Sequence, residues 1–300
     1  MKLLVTGAIN CTKTELKPLA DMGNSIVFMQ NEKDSLPCRP EEIEGVICNG
    51  LFLYHDIEKF TSLKYIQLTS AGFDRVPMEY IKNKGIKIHN AKGVYSVPMA
   101  EFALCGVLDL YKQSRFFAEN QKSHKWEKHR FLLELAEKTV AIIGCGSVGT
   151  ECAKRFKSFD TCVLGVDIKK NDAKYYDEFF PIENIKEALI KADIVVLTLP
   201  LTSDTKNLFG KEMFASFKEN SILVNIARGP IVEEKELICA LRGGKLMGAV
   251  LDVFCEEPLS ENSELWDMEN IIITPHNSFV GEGNKTRLFN TIKNNLTYEV

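Results

Sequence analysis

Three polar signals follow apolar runs in the last third of the chain. In "VNIARGPIV", Arg228 sits at a glycine and proline turn directly after a strand-like segment. An arginine placed there can present a two-pronged fork to a carboxylate or polarise a carbonyl oxygen, although a plain surface turn is the commoner case. In "GAVLDVFCEEP", Asp252 ends an apolar run and Glu256 and Glu257 follow. Paired carboxylates can serve as acid, base or orienting partner, and spacing does not say which glutamate would do so. In "NIIITPHNS", His276 follows a β-branched run and a proline. A carboxylate bonded to a histidine holds the ring and favours the imidazolium, so such a pair can give a proton to a carbonyl that is receiving a hydride. Arginine, carboxylate and histidine together fit one reaction, hydride transfer between a nicotinamide and a 2-oxo or 2-hydroxy acid.

A hydride carrier needs a cradle, and "VAIIGCGSVG" supplies one. An apolar run leads straight into Gly144, Gly146 and Gly149 in G-x-G-x-x-G spacing, followed by the helical pattern "TECAKRFKSF". The first glycine permits the tight turn, the second lets backbone approach a pyrophosphate, and the third lets helix and strand pack closely. The motif alone is weak evidence; the strand before it and the helix after it make it specific. The next run, "CVLGVDI", ends in Asp167, where a carboxylate can accept from the adenosine ribose hydroxyls and would repel a 2′-phosphate. NAD is therefore favoured over NADP.

The elements that must position these residues form two series. "KLLVTG", "SIVFMQ", "GVICNG", "YIQLTS" and "IKIHNA" are short apolar runs separated by helical or loop segments. That alternation predicts a parallel sheet flanked by helices. The residues from Met99 to about Glu137 predict a long connecting helix plus an exposed arm, with His124 and His129 read as solvated. Six further runs, from "KTVAIIG" to "NIIITP", predict a second doubly wound sheet. The fold class is α/β with two parallel-sheet domains. A final amphipathic helix carries Leu288, Phe289, Ile292 and Leu296, and its periodicity does not say where it packs.

Composition narrows the function. A chain of 300 residues with 45% hydrophobic and 26% charged content suits two ordinary globular domains. The net charge of -4 and scattered lysines disfavour a nucleic-acid partner. No apolar run is long enough for a membrane span, and the start "MKLLVTGAIN" does not read as a signal peptide, so a cytoplasmic location is expected. Nine cysteines without C-x-x-C spacing predict free thiols, mostly buried, and no metal site.

Taken together, "GCGSVG", "VDI", "PLTSDTKNLF", "VNIARGPIVEEKELICALRGGKLMGAVLDVFCEEPL" and "IIITPHNS" resemble the D-isomer-specific 2-hydroxyacid dehydrogenase family. The resemblance implies a Rossmann NAD-binding domain at 99–276 inserted into a flavodoxin-like substrate domain at 1–98 and 277–300, with the active site in the cleft between them. It implies Arg228 as substrate anchor, Glu257 as the residue that orients the histidine, and His276 as acid and base. Ser147, Val148, Asp167, Pro200, Thr205, the Ile226, Ala227 and Arg228 backbone, Asp252 and His276 would adjoin NAD. "LTSAGFDRVP" resembles the loop whose N–H groups hold a substrate carboxylate, implicating Ser70, Ala71 and Gly72. The closing helix is expected to return to the N-terminal domain, and a homodimer built on the long helix and arm around residues 100 to 130 is expected.

Two departures bear on substrate. Tyr95, counted with Ser70, Ala71 and Gly72 as substrate-binding, stands in the hinge where many relatives have a small or amide residue and is expected to shape or close the pocket, and the chain continues after His276 as Asn277-Ser278-Phe279. The main expectation is an NAD-dependent dehydrogenase of a small D-2-hydroxy acid of glyoxylate, hydroxypyruvate or pyruvate type. The alternative is an NAD(H)-sensing, corepressor-like interaction protein with little turnover.

Overall fold

The computed structural model describes residues 1–12, 14–170 and 174–297, and these fall into two compact units. One unit comprises Met1–Tyr95 and Gly281–Val300, the other Ser96–Val280. The chain thus passes between units at 95/96 and 280/281, where the expected divisions stood at 98/99 and 276/277.

In the first unit β1 (Lys2–Thr6), β2 (Ser25–Met29), β3 (Gly45–Cys48), β4 (Tyr65–Leu68) and β5 (Lys87–His89) form one parallel sheet in the order β2-β1-β3-β4-β5. This is the flavodoxin-like order. The central strands β3 and β4 are buried throughout, so β3 reads as a continuous apolar run, and β4 does too but for Gln67, whose amide donates to the Leu68 carbonyl. The closing helix Asn284–Thr297 belongs to this unit. Leu288, Ile292 and Leu296, one helical stripe, are at most 5% exposed and share a core with Leu3, Val5 and Ile47. Burying each such side chain stabilises by roughly 1.5–3 kcal/mol, which is why the helix returns here.

The second unit carries seven parallel strands, one more than the sequence predicts. They are β6 (Thr139–Ile143), β7 (Cys162–Asp167), β8 (Glu178–Pro181), β9 (Ile194–Leu197), β10 (Ser221–Asn225), β11 (Leu246–Leu251) and β12 (Ile271–Ile273), in the order β12-β11-β10-β9-β6-β7-β8. The unforeseen strand is β8, "EFFP", a four-residue edge strand. Its glutamate and proline conceal it from a search for apolar runs, because an edge strand buries little and tolerates both.

The connecting segment also differs. In place of one long helix there are two, Ser96–Tyr111 and Ser114–Lys122. The break falls at Gln113, which adopts the left-handed conformation (φ 53) and returns its side-chain amide to the Leu110 carbonyl. His129 is half-buried rather than solvated, its ring edge-on to Phe116 at 5.1 Å, whereas His124 is exposed. Three of the nine cysteines are buried, Cys48, Cys145 and Cys152, fewer than expected. Cys105 and Cys239 occupy exposed positions on helices, where apolar character gains nothing. No helix among the described residues is long and apolar enough to cross a membrane.

Candidate active site

The seven-stranded sheet reverses direction of winding between β6 and β9, and ligands of open α/β sheets bind outside the carboxyl ends of strands at such a point. The glycine turn lies there. Gly144 has φ +101, and a Cβ on it would sit 2.9 Å from the Leu199 nitrogen. A Cβ on Gly149 would sit 2.0 Å from the Gly144 carbonyl oxygen, so both positions exclude side chains for reasons of packing. Gly146 differs: a Cβ there meets nothing within 4 Å. The space above it is open, and it caps the helix Ser147–Lys157 without any side-chain cap. Uncapped N–H groups at the start of an 11-residue helix can receive the phosphates of a dinucleotide.

Thr198, which sequence reasoning passed over, backs this turn. Its hydroxyl donates to the Gly144 carbonyl at 2.6 Å. The signal available was its place at the end of the strand beside the glycine motif. Asp167 ends β7, and its carboxylate accepts from the N–H of Cys145 at 2.6 Å and of Ile168 at 2.7 Å. The carboxylate is thereby fixed against the glycine turn, with further acceptor capacity for a ribose hydroxyl. Ile226 and Ala227 bury their side chains in the core, so only their backbone could meet a cofactor. Val148 packs against the core, and Thr205 closes the turn from Pro200 by donating to the Pro200 carbonyl at 2.7 Å. These features fit a nicotinamide dinucleotide.

Arg228, Glu257 and His276 follow three adjacent strands, because Asn225, Leu251 and Ile273 stand abreast in register across β10, β11 and β12. Gly229 draws the first two loops together: a Cβ there would lie 1.9 Å from the Phe254 carbonyl carbon. Only glycine allows that approach. Arg228 is partly buried, with Nη1 donating to the Ala227 carbonyl at 2.7 Å. Buried Asn225 knits the same turn, donating to the Arg228 carbonyl and accepting from the Ala227 N–H.

Of the two candidate glutamates, it is Glu257 that meets the histidine. Its Oε2 lies 2.8 Å from His276 Nδ1, and its Oε1 accepts from the Phe254 N–H at 3.1 Å. Both side chains are 38% exposed, open enough for a substrate and fixed enough to be oriented. His276 itself has φ 51, a conformation its surroundings must impose. They do so through Asp252, which is fully buried. Its carbonyl accepts from the His276 N–H at 2.8 Å, and its carboxylate accepts from Thr274 Oγ1, the Asn277 N–H and the Ser278 N–H. Phe279 then packs edge-on to the imidazole at 6.0 Å. The anchoring role of Asp252 through Thr274 was not legible beforehand, because the two are far apart in sequence.

Cysteine chemistry finds no support beside these groups. Burial pushes the Cys145 thiol up to about 11 and raises that of Cys255 as well, so both remain thiols near neutrality. Among the described residues no group of three or more histidine, cysteine or acidic side chains could hold a metal ion.

In the first unit, Ser70, Ala71 and Gly72 follow β4, and Tyr95 ends the unit's first segment. The Tyr95 hydroxyl donates to the Thr69 carbonyl, and the Ser70 hydroxyl donates to the Gly72 carbonyl at 3.2 Å.

Comparison with known proteins bears on these features. Residues 104–278 match the family described as "D-isomer specific 2-hydroxyacid dehydrogenase, NAD binding domain". The D-3-phosphoglycerate dehydrogenase of Methanocaldococcus jannaschii is 34% identical over 92% of this chain, which spans only 53% of that protein's length. A glyoxylate reductase of Thermofilum pendens is 33% identical over 83% of this chain and 78% of its own. Among solved structures, a D-isomer specific 2-hydroxyacid dehydrogenase from Xanthobacter autotrophicus Py2, in complex with NADPH and MES, superposes with a TM-score of 0.79 at 26% identity, covering 98% of this chain and 93% of that one. With a family match over more than half its length, two parallel α/β sheets of the same kind and a glycine cradle for a dinucleotide, this chain belongs to the D-isomer specific 2-hydroxyacid dehydrogenase family.

Proposed function

We propose that the protein interconverts a small 2-oxo acid and its D-2-hydroxy acid with NAD as the redox partner. The observation that carries the proposal is the contact of His276 Nδ1 with Glu257 Oε2 at 2.8 Å on the strand edge that also bears Arg228. Bound nicotinamide would supply or accept the hydride. His276, held through Nδ1, has Nε2 left to give a proton to the carbonyl oxygen during reduction and to take it back during oxidation. Hydride and proton together convert C=O to CH–OH, and Glu257 balances the charge that comes and goes on the ring. Arg228 offers its guanidinium to the substrate carboxylate or carbonyl. The N–H groups of Ser70, Ala71 and Gly72 are assigned to a substrate carboxylate. Asp167 is assigned to the adenosine ribose, which favours NAD over NADP.

The glyoxylate reductase relative supports a substrate of glyoxylate size. Purified protein would be assayed with NADH and with NADPH against glyoxylate, hydroxypyruvate, pyruvate and longer 2-oxo acids. Turnover of a short acid with NADH is expected; NADH binding without turnover of any of them would overturn the proposal. Asp167→Ala is expected to erode the preference for NADH.

A homodimer and a cytoplasmic location belong to the same reading. Trp126 and Phe131 on the arm are 99% and 86% exposed, and a second copy would cover them. Nine free cysteines suit a reducing compartment. Light scattering of the intact protein would test the assembly, with a dimer expected.

A further inference from the structure

The loop Ser70–Gly72 is held by its carbonyls. The Tyr95 hydroxyl donates to the Thr69 carbonyl. The Ala91 N–H donates to the Ser70 carbonyl at 2.8 Å, and Asn90 Nδ2 donates to the Ala71 carbonyl at 2.5 Å. Among the described residues, no hydrogen bond engages the N–H of Ser70, Ala71 or Gly72.

These two facts are linked by the planarity of the peptide unit. The C=O of one residue and the N–H of the next lie in one rigid plane and point opposite ways. Fixing the Thr69 carbonyl therefore aims the Ser70 N–H; fixing the Ser70 carbonyl aims that of Ala71; fixing the Ala71 carbonyl aims that of Gly72. All three tethers come from one short stretch, residues 90 to 95, at whose end the chain leaves the unit. That stretch is itself clamped. Arg287, in the first turns of the closing helix, donates through Nε to the Val94 carbonyl at 2.7 Å and through Nη2 to Asn284 Oδ1 at 2.8 Å. Val94 is buried in the same core as Leu288. Burial raises the Tyr95 hydroxyl above its ordinary value, so it stays a donor across the neutral range.

We infer that Tyr95 is a positioning residue: its hydroxyl turns the Thr69–Ser70 peptide so that the Ser70 N–H faces an incoming carboxylate, and Arg287 holds the Val94–Tyr95 segment in the register this requires. The inference rests on the proposed 2-oxo acid activity, and it assigns Tyr95 to the loop rather than to the substrate.

Tyr95→Phe removes one hydroxyl and keeps the ring in the core. The expected result is a rise in KM for the 2-oxo acid of roughly three- to tenfold, kcat within about twofold, and unchanged NADH affinity, as for loss of one neutral hydrogen bond. Amide exchange at Ala91, whose N–H holds the Ser70 carbonyl, is expected to quicken in the absence of substrate. A raised KM with unchanged exchange at Ala91 would mean that Tyr95 touches the substrate directly, and would overturn the inference. So would unchanged KM. Arg287→Met, which removes both guanidinium bonds and keeps the apolar stem, should raise KM in the same sense; an unchanged KM would remove Arg287 from the scheme. Thermal melts of both variants establish that they are folded. Absence of turnover in the unsubstituted protein would sink the functional reading instead, and exchange at Ala91, measured without substrate, would still decide whether the tether exists.

Discussion

His276 Nδ1 and Glu257 Oε2 are 2.8 Å apart, while Glu257 Oε1 is held by the Phe254 N–H. The glutamate is thus fixed from one side and fixes the histidine from the other. His276→Ala is expected to lower kcat by about a hundredfold or more while leaving the NADH dissociation constant nearly unchanged, since the proposed proton donor is lost and the glycine cradle is not. Glu257→Gln keeps a tether but removes the charge, and should lower kcat by about tenfold or more with a smaller change in KM. Steady-state kinetics with parallel NADH titration separates the two effects, and equal loss of cofactor binding in His276→Ala would mark the residue as structural.

Asp252 acts beneath that pair. Its buried carboxylate accepts three hydrogen bonds from Thr274, Asn277 and Ser278. Asp252→Ala leaves the buried Ser278 N–H and the part-buried Asn277 N–H without their acceptor, at a cost of roughly 2–4 kcal/mol, and frees the turn that holds His276. Urea denaturation should show the stability loss and kinetics a fall in kcat. Thr274→Val removes one of the three bonds and should show the same pattern at smaller size.

The glycines of the cradle should respond differently to the same substitution. Gly149→Ala forces a Cβ to within 2.0 Å of the Gly144 carbonyl and is expected to destabilise the fold by about 2 kcal/mol or more. Gly146→Ala meets no atom within 4 Å, so the melting temperature should hold while NADH affinity falls by about tenfold or more. Calorimetry and NADH fluorescence titration on both variants make the comparison. Normal NADH binding by the Gly146→Ala variant would show that the open space is not where the pyrophosphate lies.

Acid stability should report on the closing helix. The hydrogen bond from Lys285, with help from Thr12, holds Glu15 down at about 2 against an ordinary 4.5. Because the folded value lies below the unfolded one, the pair stabilises fully above about pH 4.5 and loses its effect as pH falls towards 2. Lys285→Met should reduce the loss of stability over that window, as followed by circular dichroism. The pair is exposed, so added salt should shrink the difference.

The sequence by itself determined the cradle, all of the strand series but one edge strand, and which polar residues stand at the strand ends, because each of these is written in local order. G-x-G-x-x-G needs only its flanking strand and helix to be read, and buried parallel strands are continuous apolar runs. It could not separate Glu256 from Glu257, since two adjacent carboxylates differ only in which way the loop turns; resemblance, not spacing, pointed to Glu257. It missed β8, whose edge position relaxes the apolar pattern, and it missed the break at Gln113, which depends on one residue's left-handed backbone. Tertiary structure decided what long-range contacts alone decide. Asp252 becomes the anchor of the His276 turn because β11 and β12 are neighbours, Gly229 is required because another loop's backbone passes within 1.9 Å of its would-be Cβ, and Tyr95 reaches Thr69 across 26 positions of sequence. Periodicity records which face of an element is buried, whereas these contacts depend on which elements become neighbours, and no local pattern encodes that.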